Sequence, residues 1–569
     1  MRSSIFRLVA RGLREHRRLL LIAALYGGLT SLVLPPLGEF PNIDDWDYAA
    51  AARQLAASGR LQFTDYPAMT LVSHVAWGAA FIRICGDSWL TLRVSTMVMA
   101  WIGGLSLYAV SRRLGGSPRL AAFATASYVL CPLVFALSYT FMTDITGASL
   151  MLLFLSLLPD GGAPHNPWKL AGLSVLGAAC YLARQPAAIP FLLYTALVCG
   201  QCVWDGRRWR EATVLILPAL LLVTLFFLWL NLINGAPAAF GKIDLDFALL
   251  LQPKGLVSKF LGILLETALL LIPLAVLLAF RTPWRTLFRT RLRQALFLAA
   301  GLLWLALCVG FRQELRPFRN DTVTEAGLGV LFSVPGWHEQ FSAASTRFGI
   351  SSFHAAVLAV SACALPVFLI FLALQSHRLW GQVVSLRSKS NDPLPGIVLG
   401  SLTAHLLLSV LIEYLFDRYL VSVIGLSLAL FLPIASKSVA RDWGLPWVAM
   451  AGMIAVSLLG VQDSLSISRS YAAAIDHLKR EGVQPQQFDE LWPPYRRMWF
   501  YTPRYRYAGV QPRYLDHVLG DDSLNHRAAD QPRYAVTFRP LPGWTIVRTT
   551  PSQSWIREWD VYTLRRQSE

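Results

Sequence analysis

The residues of this chain that could do chemistry are acids placed at the ends of apolar segments. Asp44, Asp45 and Asp47 follow directly after the first apolar segment, residues 19–36. A lone acid, Asp144, follows a later apolar segment in the same way. Carboxylates are costly to keep beside a membrane unless they have a function. A carboxylate in a partly buried site can take a proton from a hydroxyl. These acids therefore predict an enzyme whose active site opens at one face of a membrane.

Arginines stand in the matching positions farther along the chain. Arg184 interrupts two apolar runs, and Arg418 with Tyr419 lies between two later ones. A guanidinium can hold a departing phosphate by charge-assisted hydrogen bonds, and a divalent metal can serve the same purpose. The structural alternative is that these arginines reach the lipid headgroups or pair with a nearby acid, Glu413 or Asp417.

Asp44 also has a structural alternative. The sequence D-D-W-D-Y-A-A-A-A-R-Q-L predicts a helix over residues 46–57, ended by Ser58 and Gly59. An acid just before a helix can cap its first turn and face its positive end. Asp44 is therefore a helix cap, a general base or a carboxylate that helps to organise a metal.

The composition is that of a polytopic membrane protein. Hydrophobic residues make up 55% of the chain and charged residues only 15%, where a soluble domain carries about 25% charged residues. Several apolar runs reach the roughly 20 residues that a transmembrane helix needs. The basic residues cluster in short connections, so the net charge of +17 reports membrane orientation rather than nucleic-acid binding.

Alternation of the basic turns predicts about 13 transmembrane helices, with the N-terminus in the cytoplasm. Residues 69–84 form a short run that carries His74 and Arg83, so we expect it to lie at the interface, within an outer loop over residues 37–88. The predicted spans are residues 19–36, 89–110, 119–139, 145–158, 169–183, 187–203, 212–230, 256–280, 295–310, 352–374, 397–411, 419–435 and 446–460.

The last hundred residues have a different pattern. We predict a transmembrane domain over residues 1–461 and a small periplasmic α+β domain over 462–569. In the second domain, a helix over 471–480 ends at Gly482, and the alternation of β-branched and aromatic residues predicts strands. The predicted strands are residues 533–538, 544–548 and 559–564.

At this point the motifs resemble a known family. The segment D-D-W-D-Y-A-A-A-A-R-Q-L is similar to the first outer loop of the GT-C superfamily of membrane glycosyltransferases. That superfamily includes protein O-mannosyltransferases, the transferase that adds aminoarabinose to lipid A, and the RgtA/B/C/D-like bacterial proteins. The segment S-Y-T-F-M-T-D, which ends in Asp144, resembles the second outer loop, and D-R-Y-L-V, which contains Arg418, resembles a later R-Y-L motif.

The resemblance implies a GT-C fold and an inverting glycosyltransferase in the bacterial inner membrane. The donor would be a polyprenyl-phosphate sugar, and the acceptor lipopolysaccharide, another envelope glycan or a protein. The implied catalytic acids are Asp44, as the base, with Asp45 and Asp144, which would shape the site or help to hold a divalent metal. The residues implied to bind the donor phosphate are Arg184, Arg418 and Tyr419.

Two other functions stay open from the sequence. A ligase or polymerase of lipid-linked glycans would use arginines of a large outer loop, such as Arg312, Arg316 and Arg319. A transporter would place charges at mid-membrane, and Glu266, which lies inside a predicted span, favours that reading. The structural alternative is that Glu266 is a hydrogen-bonded acid without a function in transport. His338, Glu339 and His354 match no metal-binding motif, so we expect them to be solvated loop residues.

Overall fold

The computed structural model describes most of the chain, which is helical until its last part and then forms a small sheet. The described residues are 16–42, 44–64, 67–160, 166–205, 209–237, 240, 245–281, 289–310, 359–370, 392–412, 415–435, 443–483, 487–490, 533–537, 540–555 and 558–567.

The helices are numbered here in chain order. They are α1 (Arg17–Gly28), α2 (Asp45–Ser58), α3 (Val72–Cys85), α4 (Trp89–Arg113), α5 (Pro118–Val129), α6 (Pro132–Ser138), α7 (Thr143–Leu157), α8 (Pro167–Ala183), α9 (Ile189–Asp205), α10 (Trp209–Trp229), α11 (Pro253–Leu270), α12 (Ile272–Arg281), α13 (Arg291–Gly310), α14 (Ala359–Ile370), α15 (Leu394–Leu411), α16 (Leu420–Ala435) and α17 (Gly444–Arg480).

Five helical segments of the described chain are long and apolar enough to cross a membrane, or seven if each of two bent pairs counts as one span. The pair α5 and α6 bends by 59°, and the pair α11 and α12 bends by 80°. Proline near the start of each second helix explains the breaks, since its ring cannot continue the preceding hydrogen-bond ladder. Several other predicted spans correspond to shorter helices, so the predicted count of about 13 is not confirmed.

The core lies around α5. Every residue from Leu120 to Val129 is buried, and this helix packs against α1, α4 and α16. A helix that is apolar on all sides is expected at the centre of a helical layer. Thr125 keeps its hydroxyl satisfied there by donating to the Gly104 carbonyl at 3.1 Å.

The two ends of the helical layer differ in their chemistry. At one end Arg113, the last residue of α4, donates to Asp392 Oδ1 at 2.6 Å and to the Pro159 carbonyl at 3.1 Å. These partners mark the C-terminal end of α7 and the N-terminal end of α15. Asp144 lies at the opposite end of α7. The basic turn and the acid are therefore at opposite ends of the same helices, as the alternation of basic turns predicts.

Helix α3 covers the run that the sequence places at the interface. Its 14 residues span about 21 Å, which is shorter than the roughly 30 Å hydrocarbon core. Arg83 near its end donates to the Ala56 and Leu55 carbonyls at 3.1 and 3.2 Å, at the end of α2. The two short helices α2 and α3 therefore pack together as one unit.

The C-terminal part is built on α17. The predicted span over 446–460 and the predicted helix over 471–480 form this one continuous helix, because residues 461–470 contain neither Gly nor Pro. Gly482, with φ +73°, follows its end. The predicted domain boundary at 461/462 falls inside the helix, and the division into two domains stays a prediction.

The three predicted strands are confirmed. The sheet contains β1 (Phe488–Glu490), β2 (Tyr534–Thr537), β3 (Trp544–Gln553) and β4 (Glu558–Arg566) in the order β1-β2-β4-β3. The pair β1 and β2 is parallel, and the other two pairs are antiparallel. The sheet packs on α17, where the Tyr471 hydroxyl donates to the Val536 carbonyl at 3.1 Å.

Candidate active site

Four helix ends bring the predicted acids and arginines together. Asp44 directly precedes α2, and Asp144 lies in the first turn of α7. Arg184 directly follows α8, and Arg418 lies in a 3₁₀ turn, Asp417–Tyr419, directly before α16. Helix ends carry backbone groups that need partners, so polar side chains are expected at such a junction.

Two ion pairs organise these side chains. Arg184 Nη1 donates to Asp144 Oδ1, and Arg418 Nη1 lies 3.5 Å from Asp44 Oδ2. The Arg184 guanidinium also lies over the ring of Tyr419, 4.5 Å from its centroid. The structure thus brings together five of the six predicted site residues, although they are far apart in the sequence.

The described contacts bear on two of the structural alternatives, the helix cap and the arginine that reaches the headgroups, whereas Glu413 lies outside the described residues. Asp44 occupies the N-cap position of α2, but its side chain makes no capping hydrogen bond and faces Arg418 instead. The side chains of Arg184 and Arg418 are only 15% and 8% exposed. Side chains so buried do not extend to a headgroup layer as snorkelling arginines do.

Asp45, the sixth predicted site residue, has a different environment. It is fully buried, with Oδ1 accepting from the Asn42 backbone N–H at 2.6 Å and Oδ2 accepting from the Phe141 backbone N–H at 3.1 Å. Burial raises the pKa of Asp45 from 3.8 to about 7, against the opposing effect of these hydrogen bonds and of Arg93. This carboxyl ties the segment before α2 to the segment before α7.

The charges around Arg418 act on each other strongly. Burial by itself lowers the pKa of the Arg418 guanidinium, but Asp144, Tyr419 and Asp44 together raise that pKa well above its ordinary range. Burial and then Asp44 raise the pKa of the Tyr48 phenol well above 10. Arg418 is therefore a permanent cation here, and Tyr48 a neutral phenol.

The neighbouring acid Asp47 is occupied elsewhere. It is buried and accepts a hydrogen bond from the Thr64 hydroxyl. Tyr48 OH contacts Met69 Sδ at 3.7 Å, and the Thr143 hydroxyl contacts the same sulfur at 3.1 Å. These contacts hold the start of α2 against the start of α7.

A cavity of about 220 Å³ opens beside the ion pairs. Its charged lining consists of Asp144, Arg184 and Arg418, and much of the remaining lining is apolar. Asp44 is not a lining residue, but its partner Arg418 is. The cavity therefore offers two guanidinium groups at one place and apolar surface around them.

His405 is a lining residue that the sequence analysis did not single out. It lies in α15, is 4% exposed, and has its Nδ1 2.8 Å from the Ser401 carbonyl. Its Nε2 is buried and has no hydrogen-bond partner among the described residues. The sequence signal was available, because a lone histidine inside an apolar span is a candidate for function.

Arg93 was also missed, and it positions the loop that leads into the site. It is fully buried in α4 and donates to the Pro36 and Gly38 carbonyls, each at 2.9 Å, and to the Phe40 carbonyl at 2.6 Å. A charged residue inside the predicted span 89–110 was the available signal.

The remaining candidates do not join the site. Glu266 is buried in α11 but does not line this cavity. His338, Glu339, His354 and the arginines 312, 316 and 319 lie outside the described residues.

The divalent metal that the sequence analysis allows stays a prediction. Within the described part of the chain, no group of three or more His, Cys, Asp or Glu side chains is arranged to hold a metal. Asp44 and Asp144 face guanidinium groups, and both oxygens of Asp45 accept from backbone N–H groups. An ion would have to displace these donors from the carboxylates it needs.

Solved structures resemble this chain over most of its length. ArnT from Cupriavidus metallidurans in the apo state is 15% identical, with 95% of this chain and 97% of that chain covered and a TM-score of 0.38. The same protein bound to undecaprenyl phosphate is 14% identical, with 96% and 98% covered and a TM-score of 0.40. ArnT is a GT-C protein.

A third match is the archaeal oligosaccharyltransferase AglB from Archaeoglobus fulgidus, in complex with an inhibitory peptide and a dolichol-phosphate. It is 13% identical, with a TM-score of 0.37, and the match covers 85% of this chain and 60% of that chain. AglB is also a GT-C protein. The sequence matches no family model and no curated protein.

Proposed function

We propose that the chain is an inverting membrane glycosyltransferase that moves a sugar from a polyprenyl-phosphate donor to a hydroxyl of an envelope acceptor. The observation that carries the proposal is the pairing of two arginines, one buried and one largely buried, with two carboxylates beside a largely apolar cavity. A phosphate that leaves with negative charge needs fixed cations, and an attacking hydroxyl needs a carboxylate. A prenyl chain needs apolar surface.

The two ion pairs favour different roles for their carboxylates. The pair of Arg418 and Asp44, at 3.5 Å, is longer than the 2.7–2.9 Å usual for a charge-assisted hydrogen bond. Asp144 is in direct contact with Arg184. A donor phosphate can therefore replace Asp44 at Arg418 more easily than it can replace Asp144 at Arg184. We assign Asp44 as the base and Asp144 as the residue that holds Arg184 in place.

The proposed reaction is a single displacement. Asp44 accepts the proton of the acceptor hydroxyl while that oxygen attacks the anomeric carbon from the face opposite the phosphate. The bond between the anomeric carbon and the phosphate oxygen breaks, and its electron pair leaves on the polyprenyl phosphate. Arg184 and Arg418 stabilise this developing charge, and Tyr419 holds the Arg184 guanidinium through its ring. Asp45 positions the segment that carries Asp44.

We place the site at the periplasmic face of the inner membrane. The basic turn at Arg113 lies at the opposite end of α7 from Asp144, and basic turns mark the cytoplasmic side. A lipid-linked sugar suits this side, because such a donor remains in the membrane where the reaction takes place.

The test is sugar transfer by the purified chain in liposomes. Radiolabelled polyprenyl-phosphate hexoses or pentoses serve as donors, and a crude envelope fraction supplies the acceptor. We expect wild type to transfer label, and Asp44→Asn to lower the rate by about 10²- to 10⁴-fold, the usual loss of a general base.

Asp160→Asn is the matched control, since Asp160 is 88% exposed and pairs with Arg113 at the opposite end of the helices. It should transfer at the wild-type rate. Equal rates for Asp44→Asn and wild type would remove Asp44 from the base role. No transfer by folded wild type from any donor would favour a glycan ligase or a transporter instead.

A further inference from the structure

The hydrogen bonds of His405 fix which of its nitrogens can meet a ligand. Nδ1 lies 2.8 Å from the Ser401 carbonyl, one turn back along α15. A carbonyl oxygen only accepts, so Nδ1 carries the proton, and Nε2 of the neutral ring is then an acceptor. The structure therefore contains a hydrogen-bond acceptor on a residue that lines the cavity.

This acceptor is unsatisfied within the described part of the chain. Nε2 is buried and lacks a partner there, and the neighbouring Ser409 hydroxyl donates to the His405 carbonyl at 2.8 Å instead. A buried polar atom without a partner is unfavourable, and native structures contain few of them. A ligand that donates a hydrogen bond would remove this penalty.

We propose that His405 Nε2 accepts a hydrogen bond from one hydroxyl of the sugar that is transferred, and that His405 is thereby a specificity-determining residue. This inference rests on the proposed function, because it presupposes that the cavity holds a lipid-linked sugar. His405 does not take part in the displacement itself.

The chemistry of the donor leaves the sugar as the partner. Ionised phosphate oxygens only accept hydrogen bonds, so they would repel a bare Nε2, and a prenyl chain has no donor. The proton of the acceptor hydroxyl is already assigned to Asp44. A site built to pair with a hydroxyl strongly rejects an analogue that lacks it, so one position of the sugar should be read at His405.

The first test compares two variants in the transfer assay. His405→Phe keeps a planar ring and removes both nitrogens, whereas His405→Gln keeps an amide oxygen near the position of Nε2. We expect His405→Phe to lower kcat/KM for the donor about 5- to 150-fold, as for a buried hydroxyl left unpaired, and His405→Gln to recover most of this loss. Polyprenyl phosphate without sugar should inhibit wild type and His405→Phe equally.

The second test takes its main result from wild type, and His405→Phe serves as the comparison. A set of donors, each lacking one hydroxyl of the sugar that wild type transfers, is assayed with wild type and with His405→Phe. With wild type, one of these deoxy donors should have a kcat/KM about 5- to 150-fold below that of the complete donor. With His405→Phe, the same deoxy donor and the complete donor should have equal kcat/KM values.

Three results would overturn the inference while wild type still transfers sugar. The first is an unchanged kcat/KM for folded His405→Phe. The second is that inhibition by polyprenyl phosphate alone is weakened in His405→Phe as much as kcat/KM is. The third is a wild type that transfers every deoxy sugar without loss. A folded wild type that transfers no sugar at all would instead overturn the proposed function.

Discussion

Asp45 is predicted to make the stability of the fold depend on pH. Its carboxyl is fully buried, and burial raises its pKa from 3.8 to about 7. Because the pKa is higher in the folded chain than in the unfolded one, the stabilising contribution is complete below pH 4. It is lost as the pH rises through 7.

The magnitude follows from the two pKa values. At about 1.4 kcal/mol for each pH unit, the difference between 3.8 and about 7 amounts to about 4 kcal/mol in all. About 3 kcal/mol of this falls between pH 5 and pH 8. The side chain of Asn cannot ionise, so the free energy of unfolding of Asp45→Asn does not include this pH-dependent contribution. The free energy of unfolding of wild type should therefore fall by about 3 kcal/mol relative to Asp45→Asn over that range.

The assay is denaturant unfolding of the detergent-solubilised chain at pH 5, 6, 7 and 8, followed by tryptophan fluorescence. Asp476→Asn is the control, because Asp476 is 62% exposed and its substitution should leave the pH dependence of wild type unchanged. A difference between wild type and Asp45→Asn that stays constant with pH, or that changes in the opposite direction, would refute the reasoning.

Two further predictions concern the packing around the site. A Cβ at Gly147 would lie 3.2 Å from Arg184 Cβ, so Gly147→Ala should displace Arg184 at a cost of about 1 kcal/mol and raise the donor KM about 5-fold. The control Gly172→Ala enters open space, and equal KM values for the two variants would contradict this explanation. Arg93→Met removes the donor from three carbonyls of the loop before α2, two of them buried and one partly buried, and should lower the free energy of unfolding by about 3 kcal/mol or more. Chemical denaturation measures it, and an unchanged midpoint would argue against the role given to Arg93.

The grouping of the acids and arginines could be predicted from the sequence, because helices that cross in alternation place every second connection at the same face. Asp144 and Arg184 lie in such connections, and the structure brings them together. The choice of partners could not be predicted. Arg418 is paired with Asp44 across 374 positions of the chain, and this pairing depends on how helices pack sideways, which local periodicity does not encode.

The role of Asp45 shows the same limit at shorter range. Asp44 and Asp45 are adjacent, and the sequence groups both with the catalytic acids. At the start of a helix, however, neighbouring side chains point in different directions, so Asp45 turns inward toward the Phe141 N–H, 96 positions away. The number of spans was difficult to predict for a related reason. Helices such as α7, with 15 residues, are shorter than a membrane needs.

The C-terminal helix α17 is connected to the Asp45 carboxyl by two successive hydrogen bonds. The Ser468 hydroxyl donates to Asn42 Oδ1 at 3.3 Å, and the Asn42 backbone N–H donates to Asp45 Oδ1 at 2.6 Å. Arg469, the next residue of α17, donates to the Leu37 carbonyl at 3.1 Å. These contacts hold the segment before α2, as the hydrogen bonds of Arg93 also do. Because Asp44 belongs to this segment, the position of the proposed base depends on the extension of α17 beyond its apolar part. We therefore expect α17, which contributes no residue to the cavity lining, to act on the proposed reaction through the backbone of residues 37–42.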